Sequence, residues 1–224
     1  MKTPTSRRSM LSMLTASILA TFVAPVVPVF AQHGGHTVVG QAPTATKVAE
    51  TGAVMRDLWL GHAFWVRNVS LETLAGNKAA AAAAEKQVVA NARQIADAIV
   101  PFYGKEAGDK LFGLLAAHYG AVKDYLNATS AGSKAKQDAA YNKLVANAGD
   151  IAKFLSGANP NLPYDAVNGL LLAHGGHHVK QIQELKGKKY AEEAQTWEEM
   201  KKHMYVIADA LAGAIAKQFP AKFS

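Results

Sequence analysis

The sequence contains no cysteine. Disulfide bonds, covalent c-type haem attachment, thiolate metal sites and cysteine-based catalysis are therefore excluded. A metal ion bound by this chain would have to be held by histidine, carboxylate, amide, tyrosine or methionine side chains.

Familiar catalytic motifs are absent as well. The sequence has no glycine-rich phosphate loop, no Gly-x-Ser-x-Gly and no His-Glu-x-x-His. It also lacks the Glu-x-x-His pairs that build di-iron sites in helical bundles. We therefore expect a binding or storage protein rather than an enzyme.

Charge is sparse and long apolar runs are few. Charged residues make up 18% of the chain, and lysine and arginine form no dense block. The N-terminal leader holds three basic residues, so the rest of the chain has a net charge of 24 − 3 − 17 = +4. This mild charge gives no support to nucleic-acid binding. No apolar run after the leader approaches about twenty residues, so we predict no transmembrane segment in the mature chain.

The N-terminus has the pattern of a signal peptide. Lys2, Arg7 and Arg8 precede an apolar run, and small residues follow at the expected cleavage site. The stretch Ser6–Leu11 also resembles a twin-arginine signal. We therefore predict an exported protein, periplasmic or secreted, with a signal peptide at 1–31, a flexible tail at 32–52 and a helical bundle domain at 53–224.

A repeat with a fixed offset organises the remaining chain. The segment VANARQIADAI at 89–99 resembles VANAGDIAKFL at 145–155, and 145 − 89 = 56. Apolar residues, many of them alanine, recur at helical spacing. One amphipathic hairpin leaves its apolar stripe exposed, whereas three bury their stripes against one another. We predict an all-α fold, a six-helix up-down bundle built from three αα-hairpin repeats of 56 residues. Each hairpin has an H-helix, which carries a repeated histidine, and then an N-helix. The H-helices are predicted at 54–75, 107–127 and 164–185. The N-helices are predicted at 79–100, 135–156 and 191–217.

Histidines occupy the same position in all three H-helices. His118 follows His62 by 118 − 62 = 56 residues, and His174 follows His118 by 174 − 118 = 56 residues. Apolar neighbours place them on or beside the buried face of each helix. Imidazoles from facing helices hold Zn, Cu, Ni or Fe in the cores of many bundles. We predict His62, His118 and His174 as metal ligands, with His203 of the third N-helix as a candidate fourth ligand.

Further residues could support such a site. Asn91 and Asn147 occupy equivalent positions in the first two N-helices, where they could orient the histidines. His177 and His178 occur only in the third repeat, and His178 could chelate an ion together with His174. The alternative is that this pair faces solvent and that the repeated histidines are core residues hydrogen-bonded to asparagine or backbone. The chain would then be a structural or envelope-interaction module without a metal.

Two further hypotheses use the same histidines. A b-type haem could lie between two facing imidazoles, beside Trp59, Trp65 and Tyr119. A histidine-bound metal with an open coordination position could instead serve a metal-dependent enzyme. In each metal hypothesis the partner is a metal ion or a small ligand bound through it.

Several motifs together resemble a family of small, often exported bacterial all-helical proteins. They are LWxxHxxW from Leu58, PFYG from Pro101, LLxxH from Leu114, NAxDIAxFL from Asn147 and QFP from Gln218. The resemblance covers about residues 54–223 and implies an exported helical bundle in which the repeated histidines are family features. It implies no reaction, since the family has no secure activity. The chain departs from the family pattern at Phe102, at Leu162 and in its His177-His178 pair.

Overall fold

The computed structural model describes residues 44–224. The predicted signal peptide and residues 32–43 of the predicted tail lie outside these described residues. Within residues 44–224 the chain is helical and has no strand. No helix in this part of the chain is long and apolar enough to cross a membrane. The helices are α1 (Ala45–Leu74), α2 (Lys78–Ala98), α3 (Val100–Tyr103), α4 (Lys105–Ser130), α5 (Lys134–Ala158), α6 (Tyr164–Lys186) and α7 (Tyr190–Gln218), followed by a 3-10 turn at Pro220–Lys222.

The first helix starts earlier than the sequence pattern predicts. α1 begins at Ala45 rather than Val54, so residues 45–52 are helical and the prediction of a flexible tail is wrong for them. Thr44 is a favourable N-cap, and its hydroxyl accepts a hydrogen bond from a first-turn amide. The Thr44 amide also donates to the Phe223 carbonyl at 2.8 Å. Because this anchor comes from the far end of the chain, local periodicity did not reveal it.

The turn that ends each H-helix has a recurring backbone shape. Gly76 and Gly132, 132 − 76 = 56 residues apart, have positive φ angles of 82° and 70°. Lys188 follows after another 188 − 132 = 56 residues and has a φ of 56°. Glycine adopts this left-handed conformation without steric cost, whereas a lysine there is strained by about 1 kcal/mol. The third turn therefore keeps the geometry of the other two although it lacks the glycine.

The six long helices form a closed ring of neighbours. α1 packs on α2, α2 on α4, α4 on α5, α5 on α6, α6 on α7, and α7 back on α1. The three H-helices α1, α4 and α6 also contact one another across the middle of the ring. Side chains that face inward from these three helices therefore meet at the centre.

The N-helices α2, α5 and α7 contribute small side chains to the core. Ala96, Ala152 and Ala208 recur at the 56-residue offset and are each 0% exposed. A buried isoleucine precedes each of these alanines. Since an alanine has no atoms beyond Cβ, a neighbouring helix can pack closely at these positions.

Close packing also explains one glycine of α6. A Cβ atom on Gly175 would lie 3.1 Å from the Cδ2 atom of Leu144 in α5. A Cβ atom on Gly176 would meet nothing within 4 Å in the described part of the chain. Gly175 therefore lets α5 pack tightly against the middle of α6, directly after His174.

Candidate metal centre

Four buried histidines meet at the centre of the helical ring. They are His62 of α1, His118 of α4, and His174 and His178 of α6, and each is 2% exposed or less. The structure thus brings together the three histidines of the repeat and adds His178. Helices position all four side chains, so no loop has to order for the group to form.

Three of these imidazoles have the spacing of a ligand set. His62, His174 and His178 each offer one nitrogen, and these nitrogens lie within 4.8 Å of one another. The Nε2 atoms of His174 and His178 are 3.2 Å apart and share a hydrogen bond, in which one ring donates and the other accepts. Two nitrogens bound to one ion at about 2.0 Å in tetrahedral geometry are about 3.3 Å apart. The α6 pair is therefore already spaced to chelate an ion, which would replace its hydrogen bond, and the His62 nitrogen would have to move by up to about 1.5 Å.

The four rings pack closely on one another. The ring of His174 lies 4.4 Å from that of His178, 5.5 Å from that of His118 and 5.7 Å from that of His62, measured between centroids. His118 and His174 are nearly parallel, with 14° between their planes. His174 is thus the central member of the group.

His118 is held in place by an asparagine of the next helix. Its Nδ1 lies 2.9 Å from Asn147 Oδ1. Because the amide oxygen accepts, Nδ1 carries the proton and Nε2 keeps its lone pair. The buried Nε2 has no hydrogen-bond partner within residues 44–224. This bond matches the orienting role predicted for Asn147.

The first hairpin has the same two residues without the same bond. His62 Nδ1 and Asn91 Oδ1 are both buried, and neither has a hydrogen-bond partner among the described residues. Asn91 therefore does not restrain the ring of His62 as Asn147 restrains His118.

One side chain in each N-helix is bonded to a backbone carbonyl of the preceding H-helix. The two partners are 33 residues apart in all three hairpins. Each bond ties an N-helix to its own H-helix. The bonds run from Asn91 Nδ2 to the Leu58 carbonyl (3.0 Å), from Asn147 Nδ2 to the Leu114 carbonyl (3.1 Å) and from His203 Nε2 to the Leu170 carbonyl (2.8 Å).

His203 therefore takes the place of an asparagine. Its Nε2 donates to the Leu170 carbonyl, and it does not belong to the group of nitrogens that lie within 4.8 Å of one another. His178 stands in that group instead. The reason is geometric, because residues four apart on α6 share one helix face, so His178 lies beside His174.

The adjacent histidines 177 and 178 face different surroundings. His178 is buried in the cluster, so it does not belong to a solvent-facing pair. His177 is half-buried, and its ring lies 5.4 Å from that of His203. A signal for the burial of His178 exists in the sequence, since its repeat equivalents are Val66 and Val122, two apolar residues.

Burial keeps the cluster uncharged at neutral pH. It lowers the pKa of His62 to about 3, with a further contribution from the charge of His118. It lowers the pKa of His118 to about 4, against the opposing effect of the Asn147 hydrogen bond. Burial and then the neighbouring imidazoles hold the pKa values of His174 and His178 well below 6.5. Neutral imidazole is the form that binds metals.

A partly buried ion pair joins α1 to α7 beside Gln181, one turn after His178 in α6. Arg67 donates from Nε and Nη2 to the two carboxylate oxygens of Glu193, each at 2.6 Å, and Gln181 Nε2 donates to the same carboxylate at 3.0 Å. The guanidinium occupies both oxygens, so this carboxylate is not a free metal ligand. Sequence patterns did not reveal the pair, because Lys123 and Gln137 stand at the equivalent positions of the second hairpin.

The chain matches no protein-family model, no curated protein and no solved structure. Membership of the family that its motifs resemble is therefore a proposal. Function has to be inferred from the four histidines and their surroundings.

Proposed function

We propose that this chain binds one transition-metal ion through His62, His174 and His178. The observation that carries the proposal is the group of three buried imidazoles whose ligand nitrogens lie within 4.8 Å of one another. His118 stacks on His174 and steadies it, and its free Nε2 is available as a further ligand.

Comparison of the three hairpins supports a purpose for His178. At the equivalent positions Val66 and Val122 are buried, so the fold itself is satisfied by an apolar side chain there. A histidine in a buried apolar position carries a desolvation cost that valine does not. Coordination of an ion would offset that cost, since both ring nitrogens of a buried histidine need partners.

The underlying architecture is proposed to be three αα-hairpins of 56 residues in an up-down bundle. The equivalent turns at Gly76, Gly132 and Lys188 support this, as do the equivalent side-chain bonds from each N-helix to its H-helix. In this scheme each of the first two hairpins carries a histidine that packs in the core and an asparagine that bonds the N-helix to the H-helix. The third hairpin has added the chelating partner.

The donor set favours particular ions. Three neutral imidazoles with no thiolate and no free carboxylate suit Zn²⁺, copper and Ni²⁺ better than Mg²⁺ or Ca²⁺, which prefer oxygen. We further propose an exported, periplasmic or secreted protein that binds or stores the ion, in keeping with the leader and with the resemblance to small exported bundles.

A haem among the histidines, or an organic ligand in the apolar core, finds less support. The histidine rings pack at centroid distances of 4.4 to 6.0 Å, which leaves no slot for a porphyrin between them. A separate apolar cavity, lined by residues that include Trp59, Leu155 and Leu211, has a volume of about 20 Å³. That volume suffices for about one water molecule.

The second candidate is a structural module in which the histidines are core residues. The His118–Asn147 bond and its continuation to the Leu114 carbonyl favour it, because they satisfy a buried imidazole without a metal. This hypothesis explains His118 well. For His178 it offers one hydrogen bond, to His174, at a position where the other two hairpins have valine.

Calorimetric titration of the metal-free protein with Zn²⁺ separates the two candidates. We expect one tightly bound ion in the wild type and a loss of at least about 100-fold in affinity in His178→Val, which removes one ligand and inserts the residue of the other hairpins. His203→Asn, which restores the asparagine of the other hairpins, should keep the tight ion. No binding by either protein would support the structural module, and equal tight binding by both would place the ion elsewhere and overturn the proposed ligand set.

A further inference from the structure

Two more histidines form a partly exposed pair beside the buried cluster. His177 of α6 and His203 of α7 have ring centroids 5.4 Å apart. The Leu170 carbonyl fixes the proton of His203 on Nε2, so its Nδ1 keeps a lone pair. The pair therefore presents two imidazole donors at the junction of α6 and α7.

This pair lies next to the cluster along α6. His177 follows His174 by three residues, which places the two side chains side by side on the helix, about 5–6 Å apart at Cβ. His203 contacts Leu170, one turn before His174. Burial lowers the pKa of His174 most, followed by the charges of the three other cluster imidazoles, and the charge of His203 makes the smallest contribution. The pair and the cluster thus share α6, and within the cluster the ring of His174 contacts that of His178.

The fold does not require histidine at either position. The equivalents of His203 are Asn91 and Asn147, whose amides make the same bond to a backbone carbonyl. The equivalents of His177 are Trp65 and Ala121. Both imidazoles occur only in the hairpin that also carries His178.

The charge around the pair is balanced. Glu199 faces His177, and its negative charge favours a cation there, whereas the positive charge of Lys180 opposes one. Glu199 also accepts a hydrogen bond from Lys180 at 3.3 Å. A divalent ion would therefore be held mainly by the two imidazoles and by water, more weakly than by three buried imidazoles.

We propose that His177 and His203 form a second, exposed metal site that takes a divalent transition ion from solvent and passes it to the buried cluster. The passing step rests on the proposed function, and the second site does not. Transfer exchanges one set of imidazole ligands for another and involves no redox change. An ion held beside the cluster has a high effective concentration there, which speeds its capture.

The double variant His177→Ala/His203→Asn tests the proposal with Zn²⁺ as the probe. Both substitutions insert residues found in the second hairpin, so the fold should persist, and circular dichroism checks this. We expect the wild type to bind one tight and one weaker Zn²⁺ ion, and the double variant to keep only the tight one. Stopped-flow loading at limiting Zn²⁺ should be slower in the double variant by at least about tenfold.

The His178→Val variant makes the two possible failures distinguishable. It should lose the tight ion and keep the weaker one. A wild type that binds only the tight ion, or a double variant that loads at the wild-type rate, overturns the loading site and leaves the buried site intact. A wild type that binds only the weaker ion, lost in the double variant, overturns the proposed function and the passing step but supports the second site.

Discussion

Mild acid should destabilise the metal-free protein well before its carboxylates titrate. The folded state keeps His62 and His118 neutral, with pKa values of about 3 and about 4 instead of 6.5. The unfolded chain takes up these protons, so stability is highest above about pH 6.5 and falls as the pH drops toward the folded pKa values. Between pH 7 and pH 5 each of these two histidines contributes a loss of about 2 kcal/mol.

The loss from these two side chains alone is about 4 kcal/mol, a large part of the 5–15 kcal/mol typical of a domain. His174 and His178 add losses of the same sign, since their pKa values are also lowered. Urea unfolding of the metal-free protein, followed by circular dichroism at pH 7, 6 and 5, measures the effect. His178→Val should show a smaller loss, because one buried imidazole is gone. A free energy of unfolding that is constant from pH 7 to pH 5 would refute the reasoning that these histidines are buried and neutral.

Three backbone and ion-pair predictions can be checked by the same urea assay. Lys188→Gly should stabilise the fold by about 0.5–1 kcal/mol, because glycine relieves the left-handed strain; an unchanged midpoint would show that lysine is not strained there. Gly176→Ala should stabilise the fold by about 0.5–1 kcal/mol, since the added Cβ meets open space in a helix. Gly175→Ala should give no gain or a loss, because its added Cβ crowds a leucine of α5. Equal effects of the two substitutions would contradict the packing of α5 on α6. Arg67→Ala should destabilise by about 3 kcal/mol, because it leaves the Glu193 carboxylate buried without its cation, and Arg67→Ala/Glu193→Gln should recover part of the loss; no recovery would place the cost elsewhere.

The six long helices and their approximate limits could be predicted from periodicity and the 56-residue offset. Both signals are local or repeat along the chain, and the sequence carries them in full. The start of α1 could not be predicted in this way, because Thr44 is hydrogen-bonded to Phe223 at the other end of the chain. The Arg67–Glu193 pair escaped for a related reason, since its partners come from α1 and α7 and have no counterpart in the other hairpins.

The meeting of the three H-helix histidines was predicted from the same offset, and the structure places them together. An offset identifies equivalent positions, but it does not say which atom a side chain will contact. His203 illustrates the limit, because its ring bonds to a backbone carbonyl as its asparagine equivalents do. His178 illustrates a missed signal, because valine at the equivalent positions points to the buried face. From the sequence, His178 is predicted only as an auxiliary partner of His174, and comparison of residue types across the repeats would have predicted the burial of His178 and the backbone bond of His203.

The most direct test of the central claim is the metal content of the full chain, expressed with its predicted leader and purified without a tag. Elemental analysis should find about one equivalent of a transition metal in the wild type and almost none in His178→Val, with the helical content of both proteins unchanged. Wild-type protein that carries no transition metal, or a His178→Val variant that retains the full equivalent, would contradict the account. In the first case the buried histidines would be core residues, and in the second the ion would be bound elsewhere.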